Sequence, residues 1–271
     1  MQLFNGRKHA QLLEERIKTY IKEHQERVSK LGKLAIVQVG DDPASSVYVR
    51  LKKKFCEKLK IPVEVFNIPD SFSDREIISQ IREIFASKDI GGGIVQLPLP
   101  RESLEPVLGL IPVEKDVDLL SPESKRRFYS GEFYRLPPTV RAFDYFITAN
   151  DLELPSLSIG VLGYGELVGK PISHYATLSG ASVEVIGHYE NQKRLNYQLV
   201  VSSAGVPNLV NPRDLEEGSC FIDFGSSRKG GKTVGDLNMS KDYTHLEVIS
   251  PSPGGMGPLV VRFLIMNFLG I

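Results

Sequence analysis

Tyr48 and Lys52 stand four residues apart in Tyr48-Val49-Arg50-Leu51-Lys52, a spacing that projects both side chains from one face of a helix. Gln96 ends the strand-like run that begins at Ile94, and Asp118 ends Lys115-Asp116-Val117-Asp118. An aromatic platform, an amine, an amide and a carboxylate gathered in one cleft suit a flat heterocyclic substrate. Each residue alone has an ordinary reading. Lys52 lies in a lysine run that can be a solvated helix face, and Tyr48 can be a surface aromatic. Gln96 can cap a sheet edge, and Asp116 and Asp118 can be turn residues. The combination is what points to chemistry.

A second set of residues has the character of a nucleotide turn. Gly163-Tyr164-Gly165-Glu166-Leu167-Val168-Gly169 partly matches G-x-G-x-x-G, with the third glycine one position late. It follows a strand-like run and precedes a helix-like one. Either it brings backbone N–H groups and a helix N-terminus to a pyrophosphate, or it is a tight turn that needs glycine for geometry alone. Pro251-Ser252-Pro253-Gly254-Gly255-Met256-Gly257-Pro258 likewise reads as a close approach to a ligand or as a sharp chain reversal, with Pro258 setting the first turn of the last helix. The five histidines show no metal-ligand spacing, and no Ser/His/Asp set is visible. Cys56 and Cys220, far apart among apolar residues, read as reduced buried thiols, and no metal site is expected.

The elements that must position these residues alternate along the chain. A charged helix over 10–29 precedes a buried strand over 34–39. Asp42 is an N-cap for the helix that carries Tyr48 and Lys52 to about Lys60. A strand over 63–68, a helix opened by Ser73 with Glu76 at capping-box spacing, and a strand over 91–96 complete the first set. Residues 136–139 read as a linker and 141–150 as a helix bridging two halves. Strands over 157–162, 181–186, 199–203 and 220–224, with a helix over 168–179 after the first, have the order of a Rossmann-type domain. The strongly apolar helix over 258–269 must be buried, packing back on the first domain. The spacing predicts an α/β protein of two domains: residues 1–139 with 258–271, and residues 140–257.

Composition allows this architecture. The chain has 271 residues, 41% of them apolar, with 33 Lys plus Arg against 33 Asp plus Glu. Zero formal charge gives no reason to expect nucleic acid or an anionic membrane as partner. No apolar run approaches the ~20 residues that span a bilayer, and the N-terminus has no secretory apolar region.

Taken in order, Val39-Gly40-Asp41-Asp42-Pro43 through Lys52, Gly93 through Pro100, Lys115-Asp116-Val117-Asp118, Val168-Gly169-Lys170-Pro171, Ala204-Gly205-Val206-Pro207, Ile222-Asp223-Phe224-Gly225, Gly235-Asp236 and Pro253 through Pro258 give the chain a close likeness. It resembles the bifunctional methylenetetrahydrofolate dehydrogenase/methenyltetrahydrofolate cyclohydrolase family over nearly its whole length. The resemblance implies an N-terminal catalytic domain closed by the last helix and a C-terminal dinucleotide-binding domain. It implies NAD(P)-dependent oxidation of 5,10-methylenetetrahydrofolate and hydrolysis of the methenyl product to 10-formyltetrahydrofolate. It also implies a cytoplasmic homodimer in one-carbon metabolism that serves purine biosynthesis. Carried over by position, Tyr48 stacks on the aminobenzoyl ring of the folate and Lys52 is central to the cyclohydrolase step. Gln96 holds and tunes Lys52, and Asp118 binds the pterin. Gly254, Gly255 and Pro258 line the folate side. Gly163, Tyr164, Gly165, Val168, Gly169, His188, Ala204, Gly205, Pro207, Asp223 and Gly225 contact NADP or NAD.

The departures from the family pattern cluster at the nucleotide. Tyr164-Gly165 stand where the family has Arg-Ser, the arginine of which helps hold the NADP 2′-phosphate. His188-Tyr189 stand for His-Ser and are followed by Glu190, which suits a free ribose hydroxyl and repels a phosphate. Leu119-Leu120 follow Asp118 in place of the usual Gly and its neighbour, and Val260 replaces a common threonine. Cyclohydrolase activity is therefore the safer expectation, and a cyclohydrolase-only enzyme or a non-catalytic folate-binding relative is the alternative.

Overall fold

The computed structural model describes residues 1–190 and 193–271. Contacts divide the chain into two compact units: Met1–Leu13 with Pro138–Arg262, and Glu14–Pro137 with Phe263–Ile271. The chain opens with strand β1 (Gln2–Leu3) and helices α1 (Gly6–Glu23) and α2 (Gln25–Ser29). The single helix expected over 10–29 is thus two, broken at His24, whose φ of −123° and ψ of 36° are not helical.

The unit built on residues 14–137 is a three-layer α/β arrangement. Its elements are β2 (Lys33–Val39), α3 (Pro43–Lys58), β3 (Val63–Ile68), α4 (Asp74–Ala86), β4 (Ile90–Val95) and α5 (Pro122–Tyr129). The strands form a parallel sheet in the order β3-β2-β4. β2 is buried along nearly all its length because helices cover both faces of a parallel sheet. Two N-caps fix helix starts. The Asp42 carboxylate accepts from Ser45 N at 2.7 Å, and Ser73 with Glu76 forms a capping box. Val37, Ile77, Ile81, Phe85, Val95, Leu104 and Val107 form a core in this unit.

The other unit holds α6 (Pro138–Ala149), β5 (Ser158–Leu162), α7 (Gly169–Leu178), β6 (Ser182–Ile186), β7 (Leu199–Ser202), β8 (Cys220–Asp223), the hairpin β9 (Ser227–Lys229) and β10 (Lys232–Val234), and β11 (Val248–Ser250). The residues expected to be a linker instead start a helix at Pro138, where the missing proline N–H costs nothing. The six-stranded sheet runs β1-β11-β8-β7-β5-β6 and is parallel throughout. Residues 1–13, expected with the first domain, group here because β1 pairs with β11 and Phe4 N donates to Ile249 O at 2.8 Å.

The last helix, α8 (Met256–Leu269), starts two residues before the sequence suggested, and its final residues group with the first-described unit. There Phe268 lies against Gly92, where any side chain would collide with it. Asn267 Nδ2 donates to Val117 O at 3.0 Å and to Leu136 O at 2.9 Å.

Candidate functional site

α3 carries Tyr48, Lys52 and Cys56 at successive four-residue intervals on one face. β4 ends at Val95, so Gln96 leaves the sheet with its N–H still donating to Val37 O at 2.8 Å. The Lys52 ammonium donates to Gln96 Oε1 at 2.8 Å, across 44 residues of sequence. The other end of that amide, Nε2, donates to Leu97 O at 2.8 Å. The amide is therefore fixed with its oxygen toward the lysine. Ser45 Oγ donates to the same Leu97 carbonyl at 3.1 Å, tying the start of α3 to the chain just after β4.

Lys52 is only 6% exposed, which excludes the solvated-face reading. Burial pushes its pKa below the ordinary value, against the opposing charge of Asp118. Burial pushes the half-buried Asp118 carboxyl upward, with Lys52 acting against the shift and Asp116 adding to it. Burial thus works against the charged form of each group, while each group's charge works for that of the other. Burial also pushes the Cys56 thiol up to about 12, so it is uncharged at neutral pH. Tyr48 sits one turn before Lys52 and is half-buried.

The loop that presents Asp118 is organised by its neighbour. The fully buried Asp116 carboxylate accepts from Leu120 N at 3.2 Å and Ser121 N at 2.8 Å. Asp116 is thus a turn residue, as one reading allowed. Leu119 between them takes φ +57° with its side chain buried. That left-handed backbone is the geometry for which glycine is preferred.

In the other unit, β5 gives way to Gly163, which takes φ +85°. A Cβ there would press on Ser203 and Ala204 after β7, and one on Gly169 would collide with Gly163 O. The turn therefore brings the start of α7 against the end of β5. β6 lies on one side of β5 and β7 on the other, so the chain switches direction at the carboxyl ends of β5 and β7. In open parallel sheets that point is where ligands bind. Gly165 has open space around its Cβ position, and Tyr164 is half exposed. The backbone at this turn fits a dinucleotide pyrophosphate.

The side chains around it are distinctive. Lys170 pairs with Glu166 and lies 5.7 Å from the centre of the Tyr164 ring. His188 is exposed after β6. Tyr189, which the sequence places beside the nucleotide, turns inward instead, its hydroxyl donating to Lys193 O at 3.0 Å and meeting Asp214 Oδ2 at 3.3 Å. Glu190 is exposed. Asp223 is buried, and its carboxylate accepts from Gly225 N at 2.8 Å, Asp236 N at 3.2 Å and Leu237 N at 2.9 Å. Its side chain is thus committed to backbone inside the unit. Ala204, Gly205, Pro207 and Gly225 lie in the loops after β7 and β8. Gly254 takes φ +109°, and Gly255 packs on Ser250 and Pro251 just before α8, which carries Pro258.

Sequence reasoning missed Cys56 as a neighbour of Lys52, and the role of Asp236. Asp236 lies buried with its carboxylate on the loop after β7. The Gly235-Asp236 pair was the available signal. No group of His, Cys, Asp and Glu able to hold a metal occurs among the described residues, and no helix there is long and apolar enough to cross a membrane.

Residues 4–118 match the model of the tetrahydrofolate dehydrogenase/cyclohydrolase catalytic domain, and residues 137–271 that of the NAD(P)-binding domain of the same enzymes. The bifunctional protein FolD of Aquifex aeolicus is 30% identical over 273 residues, covering 98% of this chain and 94% of its own. The crystal structure of the FolD methylenetetrahydrofolate dehydrogenase/cyclohydrolase from Campylobacter jejuni superposes with a TM-score of 0.89 at 29% identity, covering 99% of this chain and 97% of that one. The Trypanosoma brucei enzyme, solved with NADP and an inhibitor, shares the fold with a TM-score of 0.91 at 24% identity, covering 99% and 96%.

Proposed function

Since the chain belongs to the tetrahydrofolate dehydrogenase/cyclohydrolase family, we propose how its residues carry the family's two reactions. It is an enzyme of folate one-carbon metabolism. With a nicotinamide dinucleotide it oxidises 5,10-methylenetetrahydrofolate to the methenyl form, then hydrolyses that to 10-formyltetrahydrofolate. The observation that carries the assignment of residues is the buried Lys52 ammonium on Gln96 Oε1 at 2.8 Å, with Asp118 acting on it electrostatically.

Hydrolysis of the methenyl cation requires a water to lose a proton as it attacks. A neutral Lys52 accepts that proton directly or through the water. Gln96 presents only its oxygen to the amine, which fixes the direction of the nitrogen without adding charge. The cationic substrate opposes a second positive charge nearby and favours the neutral amine further. Asp118 offers a carboxyl group to the pterin: ionised it accepts from the ring's N–H groups, and burial, which raises its pKa, makes protonation easier than for an exposed carboxylate. Tyr48 offers its ring as a stacking face one turn along the same helix. Gly254, Gly255 and Pro258 are assigned to the folate by the family likeness; Gly255 itself is buried, its N–H donating to Pro251 O at 2.7 Å.

When bound, a nicotinamide dinucleotide would supply the hydride acceptor for the methylene carbon, chemistry that asks the protein for alignment and exclusion of water more than for an acid or base. Residues 163–169 would hold the pyrophosphate at the start of α7. Residues 204–207 and 225 stand at the ends of β7 and β8. His188 is exposed after β6, where it would face the ribose of a bound dinucleotide.

We infer NAD as the preferred cofactor. No arginine follows Gly163; the nearby cation Lys170 is already matched by Glu166. The residue that would reach a 2′-phosphate after β6 is the inward-turned Tyr189, and Glu190 adds negative charge there. The homodimer, the cytoplasmic location and the link to purine biosynthesis rest on the family resemblance. Purified protein assayed for loss of methenyltetrahydrofolate absorbance, then for methylenetetrahydrofolate oxidation with each dinucleotide, tests the reading. Hydrolysis that survives in Lys52→Met would overturn the role of Lys52.

A further inference from the structure

We propose that Asp236 is a positioning residue for the dehydrogenase half of the cycle, an internal anion that moulds the loop after β7 against the dinucleotide. The proposal rests on the reading above that residues 204–207 face that cofactor.

Asp236 is fully buried. Its Oδ2 accepts from Ser202 Oγ at 2.7 Å, Ala204 N at 2.9 Å and Gly205 N at 3.3 Å, and its Oδ1 accepts from Val206 N at 2.9 Å. Three successive backbone N–H groups converging on one anion form a nest, the concavity that elsewhere captures phosphate. Here the protein fills it from within. The N–H groups of 204–206 are therefore spoken for, and this loop contributes no amide cradle to a pyrophosphate. What it turns outward is the side chain of Val206, 47% exposed. An apolar group beside Pro207 suits the face of a flat ring better than a phosphate. The phosphate cradle is left to the turn over 163–169.

The carboxylate is itself held. Asp223, from the end of β8, accepts from Asp236 N and Leu237 N and so fixes the backbone that carries Asp236. A side chain at Gly225 would collide with the Asp236 carboxylate, and one at Gly235 would collide with that of Asp223. Glycines at both positions are what allow two buried carboxylates to reach their N–H partners. Ser227 Oγ adds a bond to Gly205 O at 2.6 Å from the hairpin that joins the two aspartates. All of these groups belong to one unit. Lys52, Gln96 and Asp118 belong to the other, so the two activities should separate.

The experiment compares the parent protein with Asp236→Asn, whose amide leaves one nitrogen facing N–H donors. Binding of NADH is followed by its fluorescence and binding of NAD by calorimetry, with methenyltetrahydrofolate hydrolysis as the control. The expected result is at least a tenfold rise in both dissociation constants and in the dinucleotide KM, with hydrolysis within twofold of the parent. Should Asp236→Asn fail to fold, Ser202→Ala, which removes one of the four donors, is expected to weaken NADH binding about threefold at unchanged hydrolysis. Unchanged dinucleotide affinity in a folded variant, or parallel loss of both activities, overturns the proposal. A parent that binds neither NAD nor NADP instead overturns the cofactor reading on which the proposal stands.

Discussion

Lys52 and Gln96 are joined by a 2.8 Å bond in which the amide has no freedom to turn, because its nitrogen is bound to Leu97 O. The lysine is thus offered a neutral acceptor only. A glutamate at the same place would offer a full negative charge and hold the ammonium charged.

Substitution of the lysine should therefore be severe for one activity. Lys52→Met is expected to lower kcat for methenyltetrahydrofolate hydrolysis by about 100-fold or more, the range for loss of a positioned proton acceptor. NADH binding should be retained. Stopped-flow absorbance of the methenyl substrate measures the first and fluorescence titration the second.

The pH profile follows from the direction of the Lys52 shift. Burial lowers its pKa below 10.5, and the active form is the neutral amine. Hydrolysis should thus rise with pH through an ionisation below 10.5 and then level. Gln96→Glu should move that limb to higher pH. Superimposable kcat/KM profiles for parent and Gln96→Glu would refute the coupling.

Cofactor choice is expected to respond to one side chain. Tyr164→Arg supplies a guanidinium where Lys170 is tied up by Glu166. It should raise the ratio of NADP to NAD kcat/KM by about tenfold, equivalent to about 1.4 kcal/mol. An unchanged ratio would mean that the 2′-position lies elsewhere.

Asp223 makes stability depend on pH. Burial raises its carboxyl from 3.8 to about 7. The folded protein then holds a proton that the unfolded chain has already released, so stability falls as pH rises from about 4 to about 7 and is flat above. Asp223→Asn should lose this slope even if it is less stable throughout. Urea melts across that pH range provide the measurement.

Leu119 combines a buried side chain with a φ of +57°. Leu119→Ala loses the burial and keeps the strain, for an expected cost of about 2–5 kcal/mol. Leu119→Gly loses the burial but relieves about 1–2 kcal/mol of backbone strain. Glycine should therefore be the milder replacement, an ordering that chemical denaturation can check.

Local signals in the sequence were read well and distant ones poorly. The strand over 63–68 and the capping box at Ser73 occur as expected, because alternation and cap spacing are written within a few residues. Strand β1 was missed, since two exposed residues carry no periodicity and exist only by pairing with β11. Helix α5 was missed although Ser121 and Pro122 spell an N-cap and first turn. The four residues proposed for chemistry on the folate side are placed on neighbouring elements of one unit. The order within the nucleotide side was less legible. Asp236 reaches partners 30 to 34 positions away, and the inward-turned Tyr189 meets Asp214, 25 positions away. No spacing rule encodes either.

The helix α8 has a temporal consequence. Its last residues complete the unit whose other residues run from Glu14 to Pro137. During synthesis on a ribosome, Gly92 waits for Phe268, and the carbonyls of Val117 and Leu136 wait for Asn267. The nascent three-stranded sheet must therefore persist with one flank bare while more than a hundred further residues emerge. A chain cut after Arg262 would leave that flank permanently open, a ready target for chaperones and proteases.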